Sequence, residues 1–524
     1  MSTPAVSACI RSRKGADGER ACVGGIILTA SHNPGGPEED FGIKYNGENG
    51  GPASESITDA IYARTESIDL LRECKDIPAI PLAMVKIHRF GGDGAGDGGE
   101  ADVGAFEVEV IDSCEDYCRV VLPCFDMEAI KTLLARKDFS FVYDAMHGVA
   151  GVYAKRIFVE ELGADISSLM RCDSKEDFGG AHPDPNLTYA PELVATMGLL
   201  KDGSIADGVK GEDCPVFGAA ADGDGDRNMI LGRQFFVTPS DSVAVLAAKA
   251  DAIKQFRDGG GLRGAARSMP TSQALDAVCA ARKIRCFEVP TGWKFFGNLM
   301  DSKEVFGGED YTPFLCGEES FGTGSSHIRE KDGLWAVLAW LSVLADANKD
   351  TKEGELVGVR EVLEAFWAEF GRNYYRRYDF EGVESEGAES MMEHLREMIG
   401  EDGAVAGAAA EEGASFEGYK VTAASEFDYT DPVDGSVSRK QGLRFTLVPE
   451  GAAEGDGTEA RAVFRLSGTG SAGATVRLYL ESRREGKEEL ALPVDGVVGE
   501  VAKAALALSK LTDFTGREHP TVIT

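Results

Sequence analysis

Long apolar runs are missing from this 524-residue sequence. The longest, residues 334–345, includes Ser342 and falls well short of the ~20 apolar residues that cross a bilayer. The first ten residues carry no apolar core of the secretory type. Cys-x-x-Cys pairs are also missing. The eleven cysteines are scattered, and their shortest spacings lie around Cys114, Cys118 and Cys124. An odd number spread over so long a chain does not make a disulfide framework, so reduced thiols are expected. Positive charge is scarce: 54 Lys and Arg against 88 Asp and Glu leave a formal net charge of −34. That balance argues against nucleic acid and against anionic membrane surfaces, both of which need basic patches. It leaves room for a small anionic substrate, because a local Arg/Lys pocket can oppose the global field. A soluble, cytoplasmic protein is the expectation.

What is present is material for several cores. Apolar residues make up 43% of the chain, and its length suggests about three or four domains. Glycine is abundant, and part of it lies in acidic low-complexity tracts at 91–102, 400–413 and 450–459. Residues 1–22 show no clear strand, and 11–20 read as a polar loop. The apolar run 24–30 reads as a buried strand, stopped by Ser31-His32-Asn33-Pro34-Gly35-Gly36. Residues 40–45 alternate like a neighbouring strand, and 55–73 look helical. Further on, helix 127–135, strand 139–144 and helix 153–162 give the strand–turn–helix order of a parallel α/β sheet. Another strand, 216–221, leads into an Asp-rich turn, and 242–256 reads as helix. Helix 332–347 starts at an Asp cap and carries Leu334, Val337, Leu338, Leu341 and Leu344 on one face. Strands follow at 443–448, 463–466 and 476–481. The units divide near residues 122, 234 and 372, into 1–122, 123–234, 235–372 and 373–524.

Several stretches carry chemistry. Ser31 sits where a rigid element ends, a place where function is often mounted, although serine there also simply caps the next segment. His32 and Lys44 are candidates for proton transfer beside it, and each also reads as an ordinary structural residue. In Asp222-Gly223-Asp224-Gly225-Asp226-Arg227 the alternating glycines let three carboxylates turn toward one hard cation, which suits Mg²⁺. An EF-hand is ruled out, because Arg227 and Arg233 stand where Gly and Glu belong. A solvated acidic turn is the alternative. The stretch 465–473 contains a G-x-G-x-x-G spacing, but strands flank it on both sides, so no helix N-terminus is offered to a dinucleotide. Its hydroxyls and N–H groups can still form an anion nest between Arg465 and Arg477, or a plain glycine-rich hairpin. Glu318 and Ser320, Thr291 and Gly292, and Lys331 lie in polar turns suited to sugar hydroxyls, each weak alone.

Taken together, Thr29 to Pro34, Asp222 to Arg227, Pro290 to Phe295, Gly317 to Gly322, Arg465 to Arg477 and the ending Thr521-Val522-Ile523-Thr524 resemble the α-D-phosphohexomutases, specifically their eukaryotic phosphoglucomutase branch. The resemblance covers nearly the whole chain, with breaks at the acidic tracts and near 307–314. It implies an α/β fold of four domains: three related mixed α/β domains and a C-terminal α+β lid around a central cleft. It implies interconversion of glucose 1-phosphate and glucose 6-phosphate through phosphoserine at Ser31, with glucose 1,6-bisphosphate as intermediate. Mg²⁺ would be held by Asp222, Asp224, Asp226 and an oxygen on Ser31. Asp226, Arg227, Thr291, Gly292, Glu318, Ser320 and Lys331 would contact the sugar phosphate. Arg465, Ser467, Gly468, Thr469 and Arg477 would clamp the phosphate not being transferred. Hexose phosphates are the expected partners and a monomer the expected state. Family members carry an earlier strand with a Thr-Ser-Gly-Leu-Arg motif whose arginine helps bind substrate. This sequence has no such motif and begins inside the family's first domain, so an unpaired strand edge and exposed apolar surface are expected. An inactive or truncated relative serving as a scaffold, and a phosphomannomutase-type activity, are the alternatives.

Overall fold

Two short strands buried on both faces, Phe141–Asp144 and Phe217–Ala220, organise the part of the molecule that presents the Asp turn. They run parallel, with Leu169–Met170 parallel on the outer side of the first. Met229–Gly232 and Phe235–Val237 then add on antiparallel. The computed structural model describes residues 1–15, 18, 21–73, 78–90, 106–399, 414–452, 458–470 and 473–524, with backbone alone for 468–470. The first and second acidic tracts, the centre of the third, Cys74 and the Thr469 side chain lie outside the described residues.

The third unit repeats the pattern. Arg285–Val289, Gly264–Ser268 and Phe314–Gly317 are parallel, and Thr323–Ser325 closes the sheet antiparallel. Helix Gly333–Asn348 takes its N-cap from Asp332, whose carboxylate accepts from Trp335 N. This helix is buried nearly all round rather than on one stripe, with Trp335 packed against Phe125 of the second unit and Phe256 of the third, and Trp340 against Ser242. One apolar cluster, from Ala5 to Phe370, therefore serves the first three units together. The region read as helix 242–256 is two pieces, Pro239–Ala248 and Lys254–Asp258, with a short 3₁₀ turn between.

The last unit is a seven-stranded sheet with its own core. Its strand order is Ser415–Phe416, Tyr419–Glu426, Leu443–Pro449, Ala460–Gly470, Gly473–Arg484, Arg372–Val383, Val522–Ile523. Helices Ser385–Ile399 and Val494–Ser509 bury Met391, Leu395, Val501 and Leu508 on it. A third cluster joins this unit to the preceding one, pairing Trp293 and Phe295 with Tyr375, Phe427, Tyr429 and Tyr479.

The beginning of the chain departs from expectation. Residues Thr3–Ser12 form a helix, begun by Ser2 (its Oγ accepts from Ala5 N) and by Pro4 in the first turn. Ser2, Thr3 and Pro4 are the local N-terminal signal of this helix. The helix is anchored on the second unit, where Thr3 N donates to Asp224 O at 3.0 Å and Ser2 N to the Tyr153 hydroxyl at 3.2 Å. The strand after it is Gly25–Leu28, paired antiparallel with Ile43–Asn46. It is not buried on both faces: Ile27 is buried, but Ile26 and Leu28 are 71% and 64% exposed. Ile43, the pairing partner of Leu28, is exposed as well, and helix Glu55–Thr65 buries no residue. Residues 66–73, read as more of that helix, are not helical. Ten free cysteines are described and none is in a disulfide. Among the described residues no helix is long and apolar enough to cross a membrane.

Candidate functional site

Ser31 adopts a left-handed conformation, φ +58°. Such a backbone is costly for a residue with a side chain and persists only where neighbours hold it. Two do. Ser31 N donates to Thr29 Oγ1 at 2.8 Å, and the Ser31 carbonyl packs on Gly223, where an added Cβ would come within 2.5 Å of it. The result aims Ser31 Oγ at Asp222, donating to Oδ2 at 3.2 Å, with His32 Nδ1 3.4 Å away.

The strand Phe217–Ala220 ends by delivering the Asp turn to the same point. Asp222, Asp224 and Asp226 are buried, and one oxygen from each lies within 4.8 Å of the others. Asp222 Oδ1 is used locally, accepting from the backbone N–H groups of Asp226 and Arg227 at 2.9 and 3.1 Å. Asp224 Oδ2 accepts from Thr3 Oγ1 at 2.8 Å and Thr29 Oγ1 at 3.1 Å, and it lies 3.2 Å from Lys44 Nζ. Asp224 Oδ1 and both oxygens of Asp226 are buried and lack a hydrogen-bond partner among the described residues. Buried acceptors are normally satisfied, so these three mark a place shaped for a cation. The donor set, carboxylates and a serine oxygen, is the chemistry of a hard divalent ion such as Mg²⁺.

Two ammonium groups hold part of that charge. Lys44 Nζ lies 3.5 Å from Asp226 Oδ2, and Lys331 Nζ lies 3.3 Å from Asp226 Oδ1. Burial opposes the ionisation of Asp226, yet Lys331, Lys44 and Arg227 outweigh it and keep the carboxyl below its usual range. Asp222 goes the other way: burial, then the charges of Asp226 and Asp224, push it well up. Burial works against the Lys44 charge, but Asp226 and Asp224 raise it beyond reach of neutral titration. His32 is lowered to about 3, by burial and then by Arg227, so its ring is neutral.

The sugar-type loop abuts this turn directly. Arg227 and Gly322 form a backbone bridge, and Asn228 N donates to Phe321 O at 2.8 Å. Glu318 is buried, and burial raises it against the pull of Lys331. It accepts from Gly292 N at 3.1 Å, and Gly292, at φ +132°, makes the corner that starts helix Trp293–Asp301. The Thr291 hydroxyl is buried and unpartnered among the described residues. Ser320 is half-buried on the same turn. Arg227 Nη1 donates to Asp184 Oδ1 at 3.2 Å.

The residues expected to clamp the distal phosphate lie on the seven-stranded sheet of the last unit. Arg465 and Arg477 stand directly opposite one another on adjacent strands, and Ser467 pairs with Thr475. Arg465 Nε donates to Gln441 O at 3.1 Å, and Arg477 Nε lies 3.8 Å from Asp379 Oδ2. Gly468 and Thr469 continue the strand. None of these reaches the Asp turn directly among the described residues. The lid strand Arg372–Val383 comes nearer, since Arg377 adds to the positive field at Arg227. Sequence reading missed Thr3, Thr29 and Asp184. Thr29 lies in the stretch that runs to Pro34, and Asp184 stands between two prolines. Thr3, 221 residues from Asp224, gave only an N-cap signal.

With this geometry in view, family comparison matches residues 1–72, 115–234 and 239–358 to the alpha/beta/alpha domains I, II and III of phosphoglucomutase/phosphomannomutase. Residues 372–521 match the C-terminal domain of phosphoglucomutase-1. The cytoplasmic phosphoglucomutases of Pisum sativum and Solanum tuberosum are each 53% identical to the chain, over 100% of it and 84% of their own length. Among solved structures, the exocytosis-sensitive phosphoprotein pp63/parafusin of Paramecium, a phosphoglucomutase in its open form, is 48% identical. It superposes with a TM-score of 0.82 over 100% of this chain and 83% of that one.

Proposed function

Because the chain belongs to the phosphoglucomutase/phosphomannomutase family, we propose that it interconverts glucose 1-phosphate and glucose 6-phosphate in the cytoplasm, with Ser31 as phosphoryl carrier. The observation that carries this reading is the approach of Ser31 Oγ to Asp222 within a buried cluster of three carboxylates, in which Asp224 Oδ1 has no partner among the described residues.

In this reading Asp222, Asp224, Asp226 and a Ser31 oxygen hold Mg²⁺. When bound, the metal offsets charge on the phosphoryl group in transfer. The chain's own groups do the rest. Phosphoserine at Ser31 gives its phosphoryl group to O6 of glucose 1-phosphate, and the Ser31 oxygen regains a proton. Glucose 1,6-bisphosphate then reverses its orientation without leaving the cleft. Ser31 Oγ takes the phosphoryl group from O1, releasing glucose 6-phosphate and restoring phosphoserine. The O6 hydroxyl proton ends on the Ser31 oxygen in the first transfer, and the Ser31 hydroxyl proton ends on O1 in the second, with neutral His32, its Nδ1 3.4 Å from Ser31 Oγ, as the relay. Lys44 stays charged and acts as a fixed cation beside the transferred group.

Glu318 and Ser320 hold sugar hydroxyls, with Thr291 and Gly292 shaping the turn. Arg227 and Lys331 meet the reacting phosphate. Arg465, Ser467, Gly468, Thr469 and Arg477 hold the distal phosphate, and the lid excludes water from the phosphoserine. All of these groups come from one chain, which supports a monomer as the working unit. A coupled assay for glucose 6-phosphate, with Mg²⁺ and a trace of glucose 1,6-bisphosphate, tests the reading. Turnover that disappears in Ser31→Ala supports it. No turnover from well-folded protein overturns it in favour of a scaffold role, and a preference for mannose 1-phosphate moves it to the phosphomannomutase type.

A further inference from the structure

One loop is gripped from both sides by parts of the molecule that must cooperate. Residues 268–273 leave strand Gly264–Ser268 and run between the sugar loop and the lid. On the sugar side, Glu319 lies between Glu318 and Ser320 and is buried. Its Oε2 accepts from Ser268 Oγ at 2.9 Å and from Thr271 Oγ1 at 3.4 Å, while Glu319 N donates to Thr271 Oγ1 at 2.9 Å. On the lid side, three successive carbonyls are taken by lid side chains. Arg461 donates through Nη1 to Met269 O at 2.9 Å and through Nη2 to Thr271 O at 2.7 Å. The Tyr375 hydroxyl donates to Pro270 O at 2.9 Å. Glu481 Oε1 accepts from Gln273 N at 2.7 Å, and Glu481 Oε2 accepts from Arg461 Nε at 3.0 Å.

Arg461 and Arg465 share strand Ala460–Gly470. Four residues apart, they lie on one face about 13 Å from each other. Any shift of Arg461 against the loop is therefore carried along a rigid strand to the clamp. In the mutase reading the substrate is a hexose phosphate of fixed length whose hydroxyls meet the sugar loop while its distal phosphate meets the clamp. A misfit of about 1 Å between two such contacts can cost on the order of 100-fold.

We propose that loop 268–273 is a mechanical link that sets the spacing between the sugar loop and the lid's phosphate clamp, with Glu319 and Arg461 as its two positioning residues. The proposal rests on the mutase reading for its kinetic consequence but not for its structural one. The two residues do not touch each other, so coupling between them must pass through the loop.

Hydrogen exchange of the full unliganded chain comes first, since it needs no activity. In Glu319→Gln, and separately in Thr271→Val, the amides of lid residues 460–467 exchange about fivefold faster or more. Unchanged exchange in both variants overturns the link, whatever the enzyme turns out to do. Steady-state kinetics follow. Glu319→Gln and Arg461→Gln each raise KM for glucose 1-phosphate about tenfold with kcat reduced less than about threefold. The double variant is no worse than the poorer single one, and Arg461→Lys recovers part of the loss. Effects that multiply in the double variant, or an unmoved KM, overturn the proposal. A wild-type chain without turnover defeats the mutase reading and leaves the exchange result to decide the link.

Discussion

Replacing Gly223 by alanine tests what holds Ser31 in place. Gly223 is not in the left-handed region, so alanine meets no backbone objection there. Its difficulty is space: the new Cβ would lie 2.5 Å from Ser31 O, 2.9 Å from Phe178 Cζ and 3.0 Å from Phe178 Cε1. The Phe178 ring is half-exposed and can swing aside. The Ser31 carbonyl belongs to a backbone already held at φ +58° and can yield only by moving the loop. Restoring ordinary contact needs a displacement of about 1 Å. Overpacking of this kind costs about 1–3 kcal/mol of stability. The displacement carries Ser31 Oγ away from Asp222 and should lower kcat about 100-fold. The assay is kcat in the coupled reaction at saturating substrate and Mg²⁺, alongside urea denaturation. Gly297→Ala is the control, because a Cβ there meets nothing within 4 Å and lies within a helix, where it should stabilise slightly. A folded Gly223→Ala protein with kcat within about twofold of wild type would show that the close approach does not position Ser31.

Burial raises Asp241 to about 7 against the pull of Arg372, Trp367 and Thr238. Between about pH 4 and pH 7 the folded chain thus holds a proton that the unfolded chain has lost. Stability should therefore fall as pH rises through that window, by up to about 4 kcal/mol, and Asp241→Asn should flatten the urea-midpoint profile. A profile that keeps its slope in Asp241→Asn assigns it to other groups. Mg²⁺ at about 100 times its Kd should stabilise the chain by about 2.7 kcal/mol, with EDTA reversing the thermal shift and Asp224→Asn abolishing it. A shift that survives Asp224→Asn places the ion elsewhere. Trp340 is fully buried and donates from Nε1 to Ser242 Oγ at 2.8 Å, so Trp340→Ala should cost about 3–5 kcal/mol in denaturant titration. A loss below about 1 kcal/mol would mean that the shared core does not depend on it.

The parts that sequence discloses are those whose chemistry is local. Asp222 to Asp226 announce themselves, because glycine alternation and carboxylate spacing are properties of five consecutive residues. Ser31 does so as well, since an apolar run and an Asn-Pro stop bracket it. Burial is different. The run 24–30 looks the same whether one face of the strand is covered or two, and here Ile26 and Leu28 face outward. The broken helix after Ala248 keeps helical composition throughout, and tertiary packing decided where it stops. Thr3 on Asp224, and Glu319 on Thr271, are contacts over 221 and 48 residues. Nothing in the local pattern of a threonine or a second glutamate records which distant loop it will meet.

The central claim is that Ser31 itself carries the phosphoryl group. Incubating the purified chain with radiolabelled glucose 1,6-bisphosphate and Mg²⁺, then mapping the label by peptide mass spectrometry, tests it directly. The account predicts one labelled peptide containing Ser31, label that is discharged on adding unlabelled glucose 1-phosphate, and none in Ser31→Ala. Label on another residue, or equal labelling of Ser31→Ala, would contradict it.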